Sequence, residues 1–251
     1  MPSSTKSKNK FGREIIFEEN THSYYIDDPN GRIDFTSVTT FISKFFPKFD
    51  AEKIAPFTAK KLGLTTKEVL DKWEKNAKDA RDFGTMVHAC CEDTLLNRKF
   101  RFVQTTEKEK RTCENAVKAA TIVKRAFDIV GIEKLVFDEQ LKLSGTIDLL
   151  VKSKTSDLDY CIIDWKTNKE ITTFSKYHEY AFPPISKLQD CDLSHYGLQL
   201  TTYGHILKSG GYVPMNANFR YLIIHLTENN FKYIPLKGYE SYVKALLKTI
   251  E

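Results

Sequence analysis

The alternation of hydrophobic and polar positions predicts helices and strands in a mixed order along the chain. Residues 13–28 place strand-forming residues on both sides of the turn-like segment EENTH, which is typical of a hairpin. Residues 37–46 predict a short capped helix. Residues 65–98 predict two amphipathic helices broken near 76–79, and residues 107–131 predict another long helix ended by a glycine.

The pattern changes to short β-rich runs in the second half of the chain. Three runs at 134–144, 145–154 and 160–167, with turns at SGT and KTSDLD, predict a three-stranded meander. A helix, two strands and a closing helix are predicted to follow. These later elements are residues 195–211, 219–226, 231–237 and 239–251.

This order of elements predicts the α/β class, with a mixed central sheet flanked by helices. The Ser- and Lys-rich segment 1–12 predicts a disordered basic tail, and the length of 13–251 suits a single domain. Within that domain, 13–130 would hold the hairpin and a wall or arch of helices, and 131–251 would hold the sheet core. Residues 170–194 predict a long polar and aromatic loop.

Composition narrows the function classes only a little. The net charge of +5 fits a polyanion-binding face without singling one out. Five cysteines without a CxxC pair predict reduced thiols, so neither a disulfide framework nor a zinc ribbon is indicated. No apolar run approaches the roughly 20 residues that span a bilayer, and the N-terminus lacks the apolar centre of a secretory signal. We therefore expect an intracellular protein that has no contact with membranes.

Candidate chemistry lies at the end of the third strand of the meander, in CIIDWKTNK. Because side chains alternate along a strand, Asp164 and Lys166 share one face while Ile163 and Trp165 share the other. Asp148 lies near the end of the preceding predicted strand. Antiparallel pairing of the two strands could therefore bring its carboxylate close to that of Asp164.

Two carboxylates a few ångströms apart repel each other unless a cation lies between them. Carboxylate oxygens suit Mg²⁺ or Mn²⁺, and a nearby lysine can orient or deprotonate water and offset charge on phosphate. Asp148, Asp164 and Lys166 are thus the parts of a metal-dependent phosphodiesterase. A solvated ion pair between Asp164 and Lys166 is an equally simple interpretation of the triple alone.

Two helical groups add context. Gly84, His88 and Glu92 are four residues apart and share one helix face, although a lone helical histidine is more often a core or surface residue. Tyr196, Gln199 and Tyr203 follow a helical stripe. Such a stripe is usually a solvated face.

Together the motifs GTxxH, GxxD, DxK and QxxxY resemble the PD-(D/E)XK nuclease superfamily. The resemblance is to the RecB-like exonuclease branch, which includes the CRISPR adaptation nucleases, the mitochondrial genome maintenance exonuclease and many viral and phage homologues. It extends from about residue 80 to about residue 210. The matching residues are Gly84, Thr85, His88, Gly145, Asp148, Asp164, Lys166, Gln199 and Tyr203.

The resemblance implies a restriction-endonuclease-like fold and one or two Mg²⁺ or Mn²⁺ ions. It implies metal ligation by His88, Asp148, Asp164 and the Trp165 carbonyl, with Lys166 as the catalytic lysine. Gln199 and Tyr203 would position the scissile phosphate or Lys166. Glu139 is a further candidate ligand, and Glu92 and Thr85 are candidates for supporting His88. The absence of cysteine after Cys191 argues against the iron–sulfur cluster of some relatives.

The activity that the resemblance implies is DNA exonuclease action in replication, repair or recombination. A flap or structure-specific endonuclease, a silent DNA-end-binding relative and an unrelated interaction protein remain alternatives. Aromatic residues among lysines favour a single-stranded or frayed end. The viral relatives would also allow a virus-encoded protein, cytoplasmic or nuclear in an infected cell; the oligomeric state stays open. The candidate DNA contacts are Lys78, Arg81, Lys169, Lys176, Lys187, Tyr177 and Tyr196.

Overall fold

The computed structural model describes residues 4–250, and its strands form one sheet. The strands are β1 Ser4–Lys8, β2 Glu14–Glu18, β3 Ser23–Asp28, β4 Gly31–Ser37, β5 Phe127–Asp138, β6 Leu143–Ser153, β7 Asp159–Lys166, β8 Asn218–Leu226 and β9 Phe231–Leu236. The helices are α1 Val38–Ser43, α2 Ala51–Leu62, α3 Thr66–Leu95, α4 Glu107–Ala126, α5 Asp192–Ser209 and α6 Glu240–Leu247. No helix in the described part of the chain is long and apolar enough to cross a membrane.

The sheet is mixed, as predicted. Its order is β1-β2-β3-β4-β6-β7-β8-β9, with β5 paired to β6 outside this path. The pairs β4·β6 and β7·β8 are parallel, and the other pairs are antiparallel. The predicted hairpin and three-stranded meander are therefore present, and the parallel pairs join them to the rest of the sheet.

Two hydrophobic cores cover the two faces of the central strands. The first core holds Ile162 among residues of α1, α5 and α6, and the second holds Ile163 and Trp165 among residues of α3 and α4. The alternation along β7 thus sends its apolar side chains to both faces, as a strand buried on both sides requires. This burial fixes which face carries the polar residues of the strand.

The N-terminal tail differs from its prediction. Ser4–Lys8 form β1, which pairs with β2 so that Lys8 lies opposite Glu14. Lys6 also forms an ion pair with Glu14 at 3.3 Å, so charge pairing and backbone hydrogen bonds order a segment of low hydrophobicity. The expectation of disorder is wrong for these residues, and residues 1–3 lie outside the described part.

The helix boundaries also differ. Residues 66–95 form one continuous helix rather than two, because the segment around 76–79 contains no Gly or Pro and its weak helix formers are tolerated within a long helix. The helix predicted over 107–131 ends at Ala126, and Gly131 lies at a β-bulge of β5 instead of a helix end. The sequence SGT, predicted as a turn, lies inside β6.

Candidate active site

Strand β7 brings Asp164 and Lys166 to one face of the sheet. Asp164 is 4% exposed, and its Oδ2 lies 2.5 Å from Lys166 Nζ. Trp165, between them, is 1% exposed and packs in the opposite core. Asp164 and Lys166 therefore form a largely buried ion pair and not a solvated pair on the surface.

Asp148 lies on β6 beside the end of β7. Its Oδ2 accepts a hydrogen bond from the Trp165 backbone N–H at 2.9 Å. The antiparallel register, with Leu149 opposite Ile163, is what brings Asp148 to this place. Two neighbouring strands thus contribute the two carboxylates that the sequence singled out.

Helix α3 contributes His88 from the side of the second core. The His88 Nε2 lies 2.9 Å from the Trp165 carbonyl oxygen, and Nδ1 lies 3.5 Å from Asp148 Oδ2. Because a carbonyl oxygen can only accept, Nε2 carries the hydrogen of this contact. The Trp165 carbonyl, predicted as a metal ligand, is therefore bonded to His88 in this structure, and Nδ1 is the ring nitrogen that faces the carboxylate.

Glu133 completes the cluster, although it is not among the site residues that the sequence predicts. His88, Glu133 and Asp148 each offer a ligand atom, and these three atoms all lie within 4.8 Å of one another. Glu133 adopts a φ of 44°, a strained conformation for a residue other than glycine that occurs preferentially at functional sites. The register of β5 on β6, with Ile132 opposite Leu149 and Lys134 opposite Ile147, places Glu133 next to Asp148.

Glu139, which the sequence predicted as the acidic residue of this strand, lies elsewhere. Its carboxylate receives two hydrogen bonds from the Arg13 guanidinium, at 2.8 and 3.2 Å. It is not a member of the clustered ligand atoms among the described residues. The sequence pattern predicts a helix over residues 127–131, whereas β5 already begins at Phe127. The predicted strand, which begins at residue 134, therefore leaves out Glu133, the residue opposite Asp148.

Burial and mutual repulsion raise the pKa values of two carboxyl groups at the cluster. Burial raises the pKa of Asp164 to about 6, and Asp148 adds to the rise. Burial, followed by Asp148 and Glu92, raises the pKa of Glu133 to about 9. Burial lowers the pKa of Lys166, but Asp164 and Asp148 outweigh it, and the net pKa is raised, so Lys166 is charged at neutral pH.

The donor set fits a divalent metal ion. One imidazole nitrogen and two carboxylates converge, and the buried Oδ2 of Asp164 has no well-oriented hydrogen bond although it contacts Lys166. Carboxylate oxygens and an imidazole nitrogen are common ligands of divalent metal ions. His88, Glu133 and Asp148 are therefore the residues placed to hold an ion, with Asp164 beside them.

Tyr203 and Gly145 connect two of the sequence motifs. A Cβ atom on Gly145 would lie 2.6 Å from the Tyr203 hydroxyl oxygen and 2.8 Å from its Cε1, so the ring needs a glycine on β6. Tyr203 is 3% exposed, and its hydroxyl group is hydrogen-bonded to Gln199. The tyrosine thus contacts the strand that carries Asp148 from within the first core and does not reach open solvent.

Tyr196 lies over Lys166. The Lys166 Nζ is 4.8 Å from the centroid of the Tyr196 ring, within the range of a cation–π contact. Asn168 Nδ2 donates to the Tyr196 hydroxyl oxygen at 2.9 Å and fixes the ring. The structure therefore gives Tyr196, predicted as a DNA contact, a place next to the candidate catalytic lysine.

The supporting residues on α3 have distinct surroundings. Glu92 forms an ion pair with Arg101, and both border the groove that opens beside His88. Thr85 is exposed on the same groove. A Cβ on Gly84 would meet Thr167 Oγ1 at 3.5 Å, an ordinary contact, so close approach does not demand a glycine here.

The predicted DNA contacts outside the cluster lie on the surface. Lys78 forms an ion pair with Asp82 at 2.8 Å, and Lys176 forms one with Glu170. Tyr177 is 82% exposed. The other predicted basic contacts are exposed as well: Arg81, Lys169 and Lys187.

Comparison with known proteins agrees with this geometry. A family model described as the PD-(D/E)XK nuclease superfamily matches residues 57–247, which is more than half of the chain. No curated protein matches the chain significantly. The mixed sheet flanked by helices is consistent with the restriction-endonuclease-like fold that the motifs imply.

Proposed function

Because the chain belongs to the PD-(D/E)XK nuclease superfamily, we propose that it is a metal-dependent DNA exonuclease acting at free or single-stranded ends. The observation that carries the proposal is the convergence of His88, Glu133 and Asp148 next to the pair of Asp164 and Lys166. The products would be a 5′-phosphate and a 3′-hydroxyl. The process served would be DNA replication, repair or recombination.

A divalent ion held by this cluster would polarise a phosphoryl oxygen and make bound water more acidic. Mg²⁺ and Mn²⁺ are the ions proposed, in one or two copies. The pKa values of Glu133 and Asp164 are raised because burial makes their carboxyl groups costly to ionise. A bound cation would offset this cost of ionisation. The metal-free fold therefore keeps the Glu133 carboxyl group protonated near neutral pH, and a bound cation would favour its ionised form.

Lys166 is placed to act as a cationic hydrogen-bond donor. Its ammonium group is held by Asp164 and lies over the ring of Tyr196. Because its net pKa is raised, it donates to water or to a phosphate oxygen and does not remove a proton. Its role would be to orient the attacking water and to offset the charge that develops on the phosphate.

The preference for a free end rests on the likeness of the motifs to RecB-like exonucleases. A circular substrate separates this function from flap or structure-specific endonuclease action, and a binding assay separates it from a silent DNA-end-binding relative. Each alternative keeps the same metal cluster. The order of motifs, with the lysine and its carboxylates retained, favours catalysis.

The test uses 5′- and 3′-labelled DNA, single-stranded and duplex, linear and circular, with Mn²⁺ or Mg²⁺ and with EDTA. We expect metal-dependent degradation of linear DNA that Lys166→Ala and Asp164→Ala each reduce by at least about 100-fold. Lys152→Ala is the control, because Lys152 forms an ion pair with Asp157 at the far end of β6. Wild-type cleavage by Lys166→Ala would refute the proposal, and rapid cutting of circular DNA would refute its exonuclease part.

A further inference from the structure

Aromatic residues from two separate segments of the chain line the groove that opens at the metal cluster. The groove has a volume of about 750 Å³, and His88 and Glu133 lie in its lining. Phe17, His22 and Tyr24, from the hairpin of β2 and β3, are among its lining residues. Arg101 and Phe102, from the connection between α3 and α4, also line it.

The hairpin of β2 and β3 holds its aromatic residues in a fixed cluster. The rings of Phe17 and Tyr24 stack with centroids 4.5 Å apart, and His22 meets Phe17 edge-on at 5.1 Å. Tyr24 is buried and hydrogen-bonded to Thr146, which ties the cluster to β6. His22 is exposed in the hairpin turn, where its φ is 50°, and its contact with Phe17 orients its ring.

The connection at 96–105 is fixed in a similar way. The fully buried Asp93 accepts a hydrogen bond from the Arg101 backbone N–H at 3.0 Å, and Arg101 also forms an ion pair with Glu92. Gln104 Nε2 donates to the Phe102 carbonyl oxygen at 3.0 Å. Phe102 nevertheless remains 42% exposed, so its backbone is held while the residue stays open to solvent.

The charges of the groove distinguish between possible occupants. The one guanidinium group among the residues that line the groove, that of Arg101, is paired with Glu92 and the buried Asp93. A duplex would bring two phosphate backbones to a groove whose lining offers them no unpaired lysine or arginine, which is unfavourable. An unpaired base offers a neutral aromatic face that Phe and His rings can stack on.

We propose that Phe102 and His22 hold an unpaired base beside the metal cluster, so that the groove takes a single DNA strand. The inference rests on the proposed function, since it names the strand form that the same site takes. Phe102 and His22 are positioning residues in this account. They determine which strand reaches the cluster and leave the chemistry to the residues already described.

The test is direct binding without catalysis. The probe is a single-stranded oligodeoxynucleotide carrying 2-aminopurine at one end, titrated with protein in EDTA and followed by fluorescence anisotropy and by 2-aminopurine quenching. Loss of one stacking contact weakens binding by about 5- to 150-fold. We expect Phe102→Ala and His22→Ala each to weaken single-strand binding within this range and to reduce the quenching.

The chain offers a matched control for each variant. Phe100 lies in the same connection and is 48% exposed but does not line the groove, so Phe100→Ala should bind like the wild type. His178 is also exposed at a positive φ of 55°, outside the groove, and His178→Ala serves as the control for His22→Ala. Thermal melting of each variant verifies that the fold is intact.

The possible outcomes separate the two proposals. The inference would be overturned if Phe102→Ala bound single strands as tightly as the wild type or Phe100→Ala. It would also be overturned if Phe102→Ala lost duplex affinity to the same extent, or if the wild-type protein did not bind the single strand in EDTA. Selective loss of single-strand binding supports it, whether or not the protein cleaves. Failure of wild-type protein to cleave DNA with Mn²⁺ would refute the proposed function and leave the binding result standing.

Discussion

Replacing Glu133 with glutamine should remove most of the proton release that accompanies divalent-metal binding. In the metal-free fold, burial and the neighbouring Asp148 and Glu92 raise the pKa of Glu133 to about 9. The carboxyl group is therefore protonated at neutral pH. An ion that binds the carboxylate must displace this proton, and glutamine has none to displace.

The size of the effect follows from the pKa values. At pH 7.5 a group with a pKa of about 9 is almost fully protonated, whereas Asp164, with a pKa of about 6, is almost fully ionised. Binding of one ion should release about 1 proton, and the metal affinity should rise up to roughly tenfold per pH unit between pH 7 and pH 9.

The assay is isothermal titration calorimetry of Mn²⁺ binding in two buffers whose ionisation enthalpies differ. The difference in apparent enthalpy gives the number of protons released. Glu133→Gln should release close to none and should bind the ion with little dependence on pH above about 7. Glu139→Gln is the matched control just after the end of β5, because Arg13 binds the Glu139 carboxylate away from the cluster.

Two results would contradict this reasoning. If Glu133→Gln released as many protons as the wild type, the proton would belong to another group. If wild-type protein released none at pH 7.5, Glu133 would already be ionised in the metal-free fold. A change in Glu139→Gln equal to that in Glu133→Gln would also show that the cluster had been assigned to the wrong residue.

Two further predictions concern stability. Gly145→Ala should lower the free energy of unfolding, measured by urea titration, by about 1–3 kcal/mol, because its Cβ would lie 2.6 Å from the Tyr203 hydroxyl oxygen. Gly84→Ala on α3 should be neutral or stabilising. Equal losses of stability in the two variants would refute this reasoning. In metal-free buffer the folded state binds more protons than the unfolded state, since the pKa of Glu133 is raised from 4.5 to about 9, so thermal melting should show stability falling as pH rises from about 5 to 9. Glu133→Gln should flatten that profile, and an unchanged slope would count against the assignment.

The sequence was sufficient to predict strand β7 and its polar face. Strand alternation leaves only one arrangement in which Trp165 is buried while Asp164 and Lys166 lie together, and the structure has that arrangement. The partnership with Asp148 could be inferred because neighbouring strands of a meander pair antiparallel. Local patterns determine these features, so no long-range information was needed.

Glu133 could not be found in the same way. Its place depends on the bulge and register of β5 on β6, which long-range pairing decides, and the local pattern extended the preceding helix to Gly131. A search for an acidic residue opposite Asp148 would have been the one available signal. Glu139 is an equally plausible ligand by local sequence, but Arg13, which is distant in sequence, binds its carboxylate away from the cluster.

Gly145 shows why a residue type can mislead. In the sequence SGT, glycine indicates a turn, yet the residue lies within β6. The position requires glycine because the Tyr203 ring occupies the space where a side chain would be. The requirement comes from packing between a strand and α5, far apart in sequence. The continuity of α3 through residues 76–79 similarly is not determined by local propensity alone.

The most direct test of the account is the rate at which the protein cleaves linear single-stranded DNA at saturating Mn²⁺, measured for the wild type and for Asp148→Asn. The account predicts cleavage by the wild type that EDTA abolishes, and a loss of at least about 100-fold in Asp148→Asn, since Asp148 lies within the ligand cluster and accepts from Trp165 N–H. Cleavage by Asp148→Asn at the wild-type rate, or a wild-type protein inert towards every DNA substrate, would contradict it.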